Sequence, residues 1–465
     1  MQMKDQHTAD LSGPEQSSAT SLPSPPPSPP SMTARRRSLF WRIHFWAALI
    51  ASPFALLAAL TGMLYVFTPQ IEGVLYRSLD HVAPAARMRS LDQLVEASWI
   101  GAPDGWTVRS VVPPYTAGDS LRVSFSPFST SATRRSDKTV VVYVNPYTTQ
   151  MLGSLADADR FGSWAKELHS RLQQGDGWRW MIELAASWLM VMLVTGIALW
   201  WPHGQQKALP QSGASGRIKW KQWHGFIGVL LGLMTATVLS TGLTWSKYAG
   251  DQVRALRDHI GQTPPQVPRS LHSTAMQGAA PISWQAAWDR ARAMAPDVRM
   301  QLTPPSTEHG VWRVSAADSS RPTKRFDLVL DGYSAATLYY ADWRKQTVFA
   351  QATAIGIPFH RGEFGWWNQA LLLAFAAGIV FSIVSGWIMV FKRRGGGALS
   401  LHQMLPRLLP RLLPGAWKSC SPLAWVTAAL MCAAMPLLAV SAALLIALEC
   451  GFALVQKPST SIARR

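Results

Sequence analysis

The sequence predicts an α-helical membrane protein with about five transmembrane helices. Four of them form a duplicated helix–domain–helix repeat that carries two small α+β domains outside the membrane. Three observations predict this: long uncharged apolar stretches, short purely basic segments that alternate with them, and an internal repeat.

The apolar stretches are Phe45 to Phe67, Leu184 to Trp201, Phe226 to Trp245, Ala370 to Phe391 and Pro422 to Leu448. None carries a charge, and each approaches or exceeds the roughly 20 residues that cross about 30 Å of hydrocarbon as a helix. Composition agrees: 48% of residues are hydrophobic and only 15% charged, unlike an ordinary soluble domain of 465 residues. The net charge of +18 is placed where a membrane protein needs it. Arg35, Arg36, Arg37 and Arg42 precede the first stretch; Lys207, Arg217, Lys219 and Lys221 separate the second from the third; Lys392, Arg393, Arg394, Arg407, Arg411 and Lys418 separate the fourth from the fifth. These segments hold no Asp or Glu, so they read as cytoplasmic, able to meet anionic lipids, and the nucleic-acid reading of the charge falls away. Three cysteines, Cys420, Cys432 and Cys450, provide no disulfide framework, CxxC knuckle or CxxCH haem attachment.

In chain order, residues 1–38 are expected as a disordered Pro/Ser-rich cytoplasmic tail, with no cleavable signal because the apolar run that follows is too long. The first span covers 39–69, a first outer domain 70–179, the second span 180–202, a basic loop 203–222 and the third span 223–247. A second outer domain covers 248–366, the fourth span 367–392, a basic loop 393–421, a fifth span 422–450, and a tail 451–465. The repeat underlies this division. RIHFWAALIASPFALLAALTGMLYVF aligns without a gap to QWHGFIGVLLGLMTATVLSTGLTWSK, placing His44 on His224 and Thr61-Gly62 on Thr241-Gly242. The second and fourth spans correspond through Thr195-Gly196 and Ser385-Gly386. VVYVNPYTTQMLGSL resembles DLVLDGYSAATLYYA; both alternate apolar residues before a turn and read as β-hairpins. A short helix is expected upstream of each, over 90–98 and 283–294.

Four of the eleven histidines occupy equivalent places. His44 and His224 begin the first and third spans, and His169 and His360 stand shortly before the second and fourth. The repeat thus makes a histidine pair at each membrane face, and two neutral imidazoles on facing helices are what a b-type haem takes from a protein. His44 and Gly62 lie 18 residues apart, about five turns and about 27 Å along one helix face. His224 and Gly242 do likewise, so Gly62 and Gly242 leave room at one end and Gly196 and Gly386 at the other for a flat ring. The plainer reading is that interfacial histidines anchor and small residues pack helices.

Arg42, Lys221, Arg171 and Arg361 adjoin the histidines and suit either haem propionates or lipid phosphates. Glu363 either orients His360 or is solvated, Glu183 reads as an interfacial charge, and His203 rivals the cytoplasmic pair. His81, His259, His272, His309 and His402 have no repeat partners and are expected in solvent.

The RIHFW and WHGFIG starts, the two hairpins and the FHRGEFG segment together resemble the PepSY-associated transmembrane proteins over about residues 36–395. The resemblance implies a bacterial inner-membrane location, periplasmic PepSY-like domains, and two haem b groups held by His44, His224, His169 and His360. It further implies reduction of Fe(III) in an imported ferric siderophore, with electrons from a separate donor. Other readings are a non-enzymatic PepSY module that binds or regulates a periplasmic partner, and a siderophore or iron transporter. The lack of ionisable side chains in mid-span speaks against ion-coupled transport.

Overall fold

The computed structural model of the chain describes residues 29–128, 138–201, 209–274, 280–392 and 410–455. The Ser31 hydroxyl accepts the Ala34 N–H and starts α1 (Met32–Val66), a single helix of 35 residues. It reaches back through Arg35, Arg36 and Arg37, which sequence reading assigns to a tail. Arginine is a good helix former, and its long stem lets the helix continue while the charge stays in water. After α1 come α2 (Thr68–Leu75) and α3 (Arg77–Asp80), then α4 (Leu91–Ser98) and strands β1 (Trp106–Val112), β2 (Leu121–Pro127), β3 (Val140–Val144) and β4 (Met151–Ala156). Helix α5 (Phe161–Arg171) leads into α6 (Trp180–Trp200).

The second half runs in the same order. It comprises α7 (Gly216–Leu230), α8 (Gly232–Leu243), α9 (Tyr248–His259), α10 (Trp284–Met294), β5 (Met300–Thr303), β6 (Trp312–Ala316), β7 (Phe326–Leu330), β8 (Thr337–Asp342), α11 (Val348–Arg361) and α12 (Trp366–Phe391). Two apolar helices close the described chain, α13 (Pro422–Ala434) and α14 (Pro436–Val455).

Among the described residues α1, the segment 176–200 that contains α6, and α12 are each long and apolar enough to cross a membrane. Helices α7 and α8 form a fourth candidate, bent by 56°. The bend falls at Leu231, which leaves helical geometry (φ −88°, ψ 3°) and whose side chain lies against Gly378 of α12. Large apolar residues such as Leu57, Leu233 and Val384 remain exposed on these helices, as a lipid-facing surface requires. Basic Arg217, Lys219 and Lys221, expected in a loop, lie on the first turns of α7.

The fifth apolar stretch does not make one uninterrupted span. Met435 leaves helical geometry (φ −128°, ψ 86°) and Pro436 cannot donate a bond back to α13, so the stretch splits into two helices. Met435 and Leu438 pack with Ala47, Ala51 and Trp188 in the middle of the bundle. The chain then returns, because Glu449 accepts hydrogen bonds from Arg42 Nε at 2.8 Å and from Trp46 Nε1 at 2.5 Å. At the other end of the hairpin, the N–H of Leu413 reaches the Ser38 hydroxyl. Both ends of the α13–α14 hairpin therefore lie at the end of the bundle that holds His44.

At the opposite end the eight strands form one antiparallel sheet ordered β4-β3-β2-β1-β5-β6-β7-β8. The two outer segments, expected as separate small domains, are thus halves of one sheet joined where Val111 pairs with Leu302. Alternation turns Leu121, Val123 and Phe125 of β2, and Leu328 and Leu330 of β7, into one core shared by α4 and α10. The helices cap each other: the Asp92 carboxylate accepts the N–H groups of Trp284 and Gln285, and the Gln285 side chain accepts that of Leu91. Merging the halves gives α4 and α10 one continuous core and pairs β1 with β5, strands that would otherwise be open edges. Both expected hairpins are present as β3–β4 and β7–β8, with Asn145 and Asp331 side chains accepting N–H groups in their turns.

Candidate functional site

All four repeat-related histidines enter the bundle, and each meets a hydroxyl–glycine pair on a different helix. His44 of α1 has its Nδ1 3.0 Å from Thr195 Oγ1 of α6, and a Cβ built on Gly196 would lie 3.3 Å from its Cε1. His224 of α7 has its Nδ1 2.9 Å from Ser385 Oγ of α12, beside Gly386. At the sheet end His169 of α5 stands 3.1 Å from Thr61 Oγ1 of α1, beside Gly62. His360 of α11 stands 3.3 Å from Thr241 Oγ1 of α8, beside Gly242.

The glycines therefore make room for an imidazole of the neighbouring helix, where sequence reading expects them to clear a flat ring. A Cβ on Gly62, Gly196 or Gly242 would press on the histidine ring at 3.3, 3.3 and 3.0 Å, whereas one on Gly386 would lie in ordinary contact at 3.7 Å.

The imidazoles come together in two pairs. The rings of His44 and His224 lie 6.3 Å apart, centre to centre, at 85°. His169 and His360 are close enough to interact electrostatically. One span serves both pairs: α1 presents His44 to one and Thr61-Gly62 to the other, 18 residues or about 27 Å along its axis.

Two imidazoles on one metal, with bonds of about 2 Å and ring centres about 1.1 Å behind the bonding nitrogens, stand about 6 Å apart. The His44–His224 spacing meets that requirement. Among the described residues no hydrogen bond uses the Nε2 of any of the four, and no cluster of three or more His, Cys, Asp or Glu side chains is present. The donor set is two histidines at each end. That is what a haem needs, and too few for a bare zinc site.

The basic candidates divide. Arg42 is held by Glu449 through Nε at 2.8 Å and by the Pro410 carbonyl at 2.7 Å, so it belongs to the clasp on α14. Arg171 pairs with Glu167 at 2.6 Å and with Asp176. Arg361 binds Glu363 at 2.8 Å and the Tyr65 hydroxyl at 3.0 Å. Glu363 takes Arg361 and the Ser319 hydroxyl as partners and makes no described bond to His360, which removes it as the group that orients that ring. Lys221 has Arg37 and Arg217 as charged neighbours and no carboxylate partner among the described residues, so of the four it keeps a charge open to an added anion.

His81, His259, His272 and His309 are exposed, whereas His203 and His402 lie outside the described residues, as do Lys207, Arg393, Arg394 and Arg407.

Two carboxylates do more than sequence reading expects: Glu183 is read there as an interfacial charge, and Glu449 is not singled out at all. Glu183 is 1% exposed and accepts the N–H groups of Tyr248 and Ala249 at 2.9 and 2.8 Å, capping α9 at the junction of the bundle and the sheet. Glu449 ties α14 to the helix turn that carries His44. Their partners are distant in the chain and gave no local pattern. The hydroxyls beside the glycines were visible as repeats, yet their pairing with the histidines depends on which helices are neighbours.

A family model described as the PepSY-associated TM region matches residues 41–393. No curated protein matches the chain.

Proposed function

The chain belongs to the PepSY-associated membrane proteins, and from that premise we propose that it is a haem-containing transmembrane reductase of the bacterial inner membrane. Electrons enter from a separate donor at the cytoplasmic, His44 end and leave at the periplasmic, sheet end, where Fe(III) in a ferric siderophore is the acceptor. One electron converts Fe(III) to Fe(II), which binds hard oxygen donors less tightly, so the chelate releases its iron. A b-type haem, when bound, supplies reversible one-electron chemistry at each histidine pair.

The observation that carries this reading is the spacing of His44 and His224, 6.3 Å between ring centres, with both Nδ1 edges already engaged by other helices. On this reading His44 and His224 hold one group and His169 and His360 the other. The helices exclude water from both, and Lys221 stands ready for a propionate. Basic Arg37 and Arg217 meet anionic lipid headgroups at the same face. The fourfold likeness of the histidine settings is read as an internal duplication of span, outer segment and span.

A reduced-minus-oxidised spectrum with haem-to-protein stoichiometry tests the proposal. Two b-type haems per chain are expected, with His44→Ala or His224→Ala removing one and His169→Ala or His360→Ala removing the other. A folded protein that stays colourless after reconstitution with haem would end this reading.

A further inference from the structure

The histidine settings hold more detail than a pair of ligands requires. In three of the four, the partner hydroxyl spends its own proton on the carbonyl four residues earlier in its helix: Thr61 on Leu57 at 2.7 Å, Thr195 on Val191 at 2.7 Å, and Thr241 on Thr237 at 2.8 Å. Ser385 donates to the Ser382 carbonyl at 3.1 Å. With its proton engaged, each oxygen is left as an acceptor toward the imidazole.

At His360 a carbonyl reaches the same ring as well, because Val238 O, three positions before Thr241, lies 3.0 Å from its Nδ1. A carbonyl oxygen only accepts, so Nδ1 must carry the hydrogen. The lone pair is then on Nε2, which no described hydrogen bond uses. The adjacent glycine lets the ring come near enough for both bonds.

We propose that Thr61, Thr195, Thr241 and Ser385 are positioning residues, each fixing its histidine in the Nδ1–H tautomer with Nε2 free for iron and each raising the electron density of that ligand. The inference rests on the haem reading above and adds residues to it. A ligand whose Nδ1–H donates to a good acceptor is more basic at Nε2 and favours the oxidised metal. Removing the acceptor therefore raises the midpoint potential of the haem at that end and leaves the other unchanged.

The test is a spectroelectrochemical titration of the full-length protein in lipid nanodiscs, followed in the α band. Thr195→Val is expected to move one of two components upward, Thr61→Val the other, and Thr195→Ser and Thr61→Ser neither. Loss of one haem in a valine variant, with the matching serine variant intact, also supports the assignment, since the hydroxyl then decides whether the ring is held. Potentials that stay put in both valine variants would overturn it, as would serine variants that shift or lose haem as the valine variants do. Wild-type protein without an α band sinks the haem reading itself, so the two failures are told apart.

Discussion

At the scale of single residues, the four histidine settings are alike in plan and differ in tightness. A Cβ on Gly242 would lie 3.0 Å from His360 Cε1, closer than real side chains tolerate without movement, whereas one on Gly386 would lie 3.7 Å from His224 Cε1, in ordinary contact. Gly242→Ala is therefore expected to displace His360 and lower haem occupancy at the sheet end. Gly386→Ala should keep both haems, and quantitative pyridine haemochrome assays on the two variants check the contrast. The grouping of the histidines was legible in the sequence, because a repeat that preserves four of them places equivalent imidazoles at the two ends of the bundle. The commitments of Arg42 and Glu363 were not, since Glu449 and Ser319 come from segments 407 and 44 residues away.

At the scale of elements, the short helices that carry His169 and His360 are held by the residues that follow the first and third candidate spans in chain order. Glu72 of α2 accepts the Gly162 N–H at 2.8 Å at the start of α5, while Arg160 bonds Glu72 and Asp80. Gln262, just after α9, accepts the Phe349 N–H at the start of α11. The seam of the sheet has its own clamp, because Asp119 of the first half meets Arg299 of the second at 2.6 Å. Burial pushes the Asp119 carboxyl up, but N–H groups of Thr116 and Tyr115 and the Arg299 charge outweigh it, and its pKa ends below the ordinary 3.8. A depressed folded pKa contributes stability above the ordinary carboxylate value, and that contribution is lost as pH falls through the folded one. Asp119→Asn should cost about 1 kcal/mol or less near neutrality, because the pair is partly exposed. The wild-type advantage should shrink as pH falls below the ordinary carboxylate value and through the lowered folded one, as denaturant melts followed by near-UV circular dichroism would record.

At the scale of the whole molecule, the C-terminal hairpin makes the two halves unequal. It packs on α1 and α6, where Trp188 bonds Ser441 at 3.0 Å, and the α12 position equivalent to Trp188 is Gly378, filled by Leu231. α1 runs as one helix through Met32–Val66, whereas the α7–α8 pair is bent by 56° beside Gly378. The hairpin also brings Glu449 of α14 back to the start of α1. Cys450 is exposed beside Glu449, so in a protein with Cys420 and Cys432 replaced by Ala, Cys450 should react with an impermeant maleimide from the membrane face that exposes an N-terminal tag. Reaction from the opposite face would show that α13 and α14 cross as a single span.

The apolar stretches, their basic flanks, the repeat, the two hairpins and the four histidines were all decided by the sequence, because each is a local pattern of side-chain chemistry at helix or strand spacing. Tertiary structure alone decided that the outer halves share one sheet, that the last apolar stretch folds back at Pro436, and that each glycine accommodates a neighbour's imidazole. These outcomes depend on which elements become neighbours. Neighbours are chosen by how much apolar surface and how many backbone groups can be satisfied together, a sum over distant segments that no local window of residues contains.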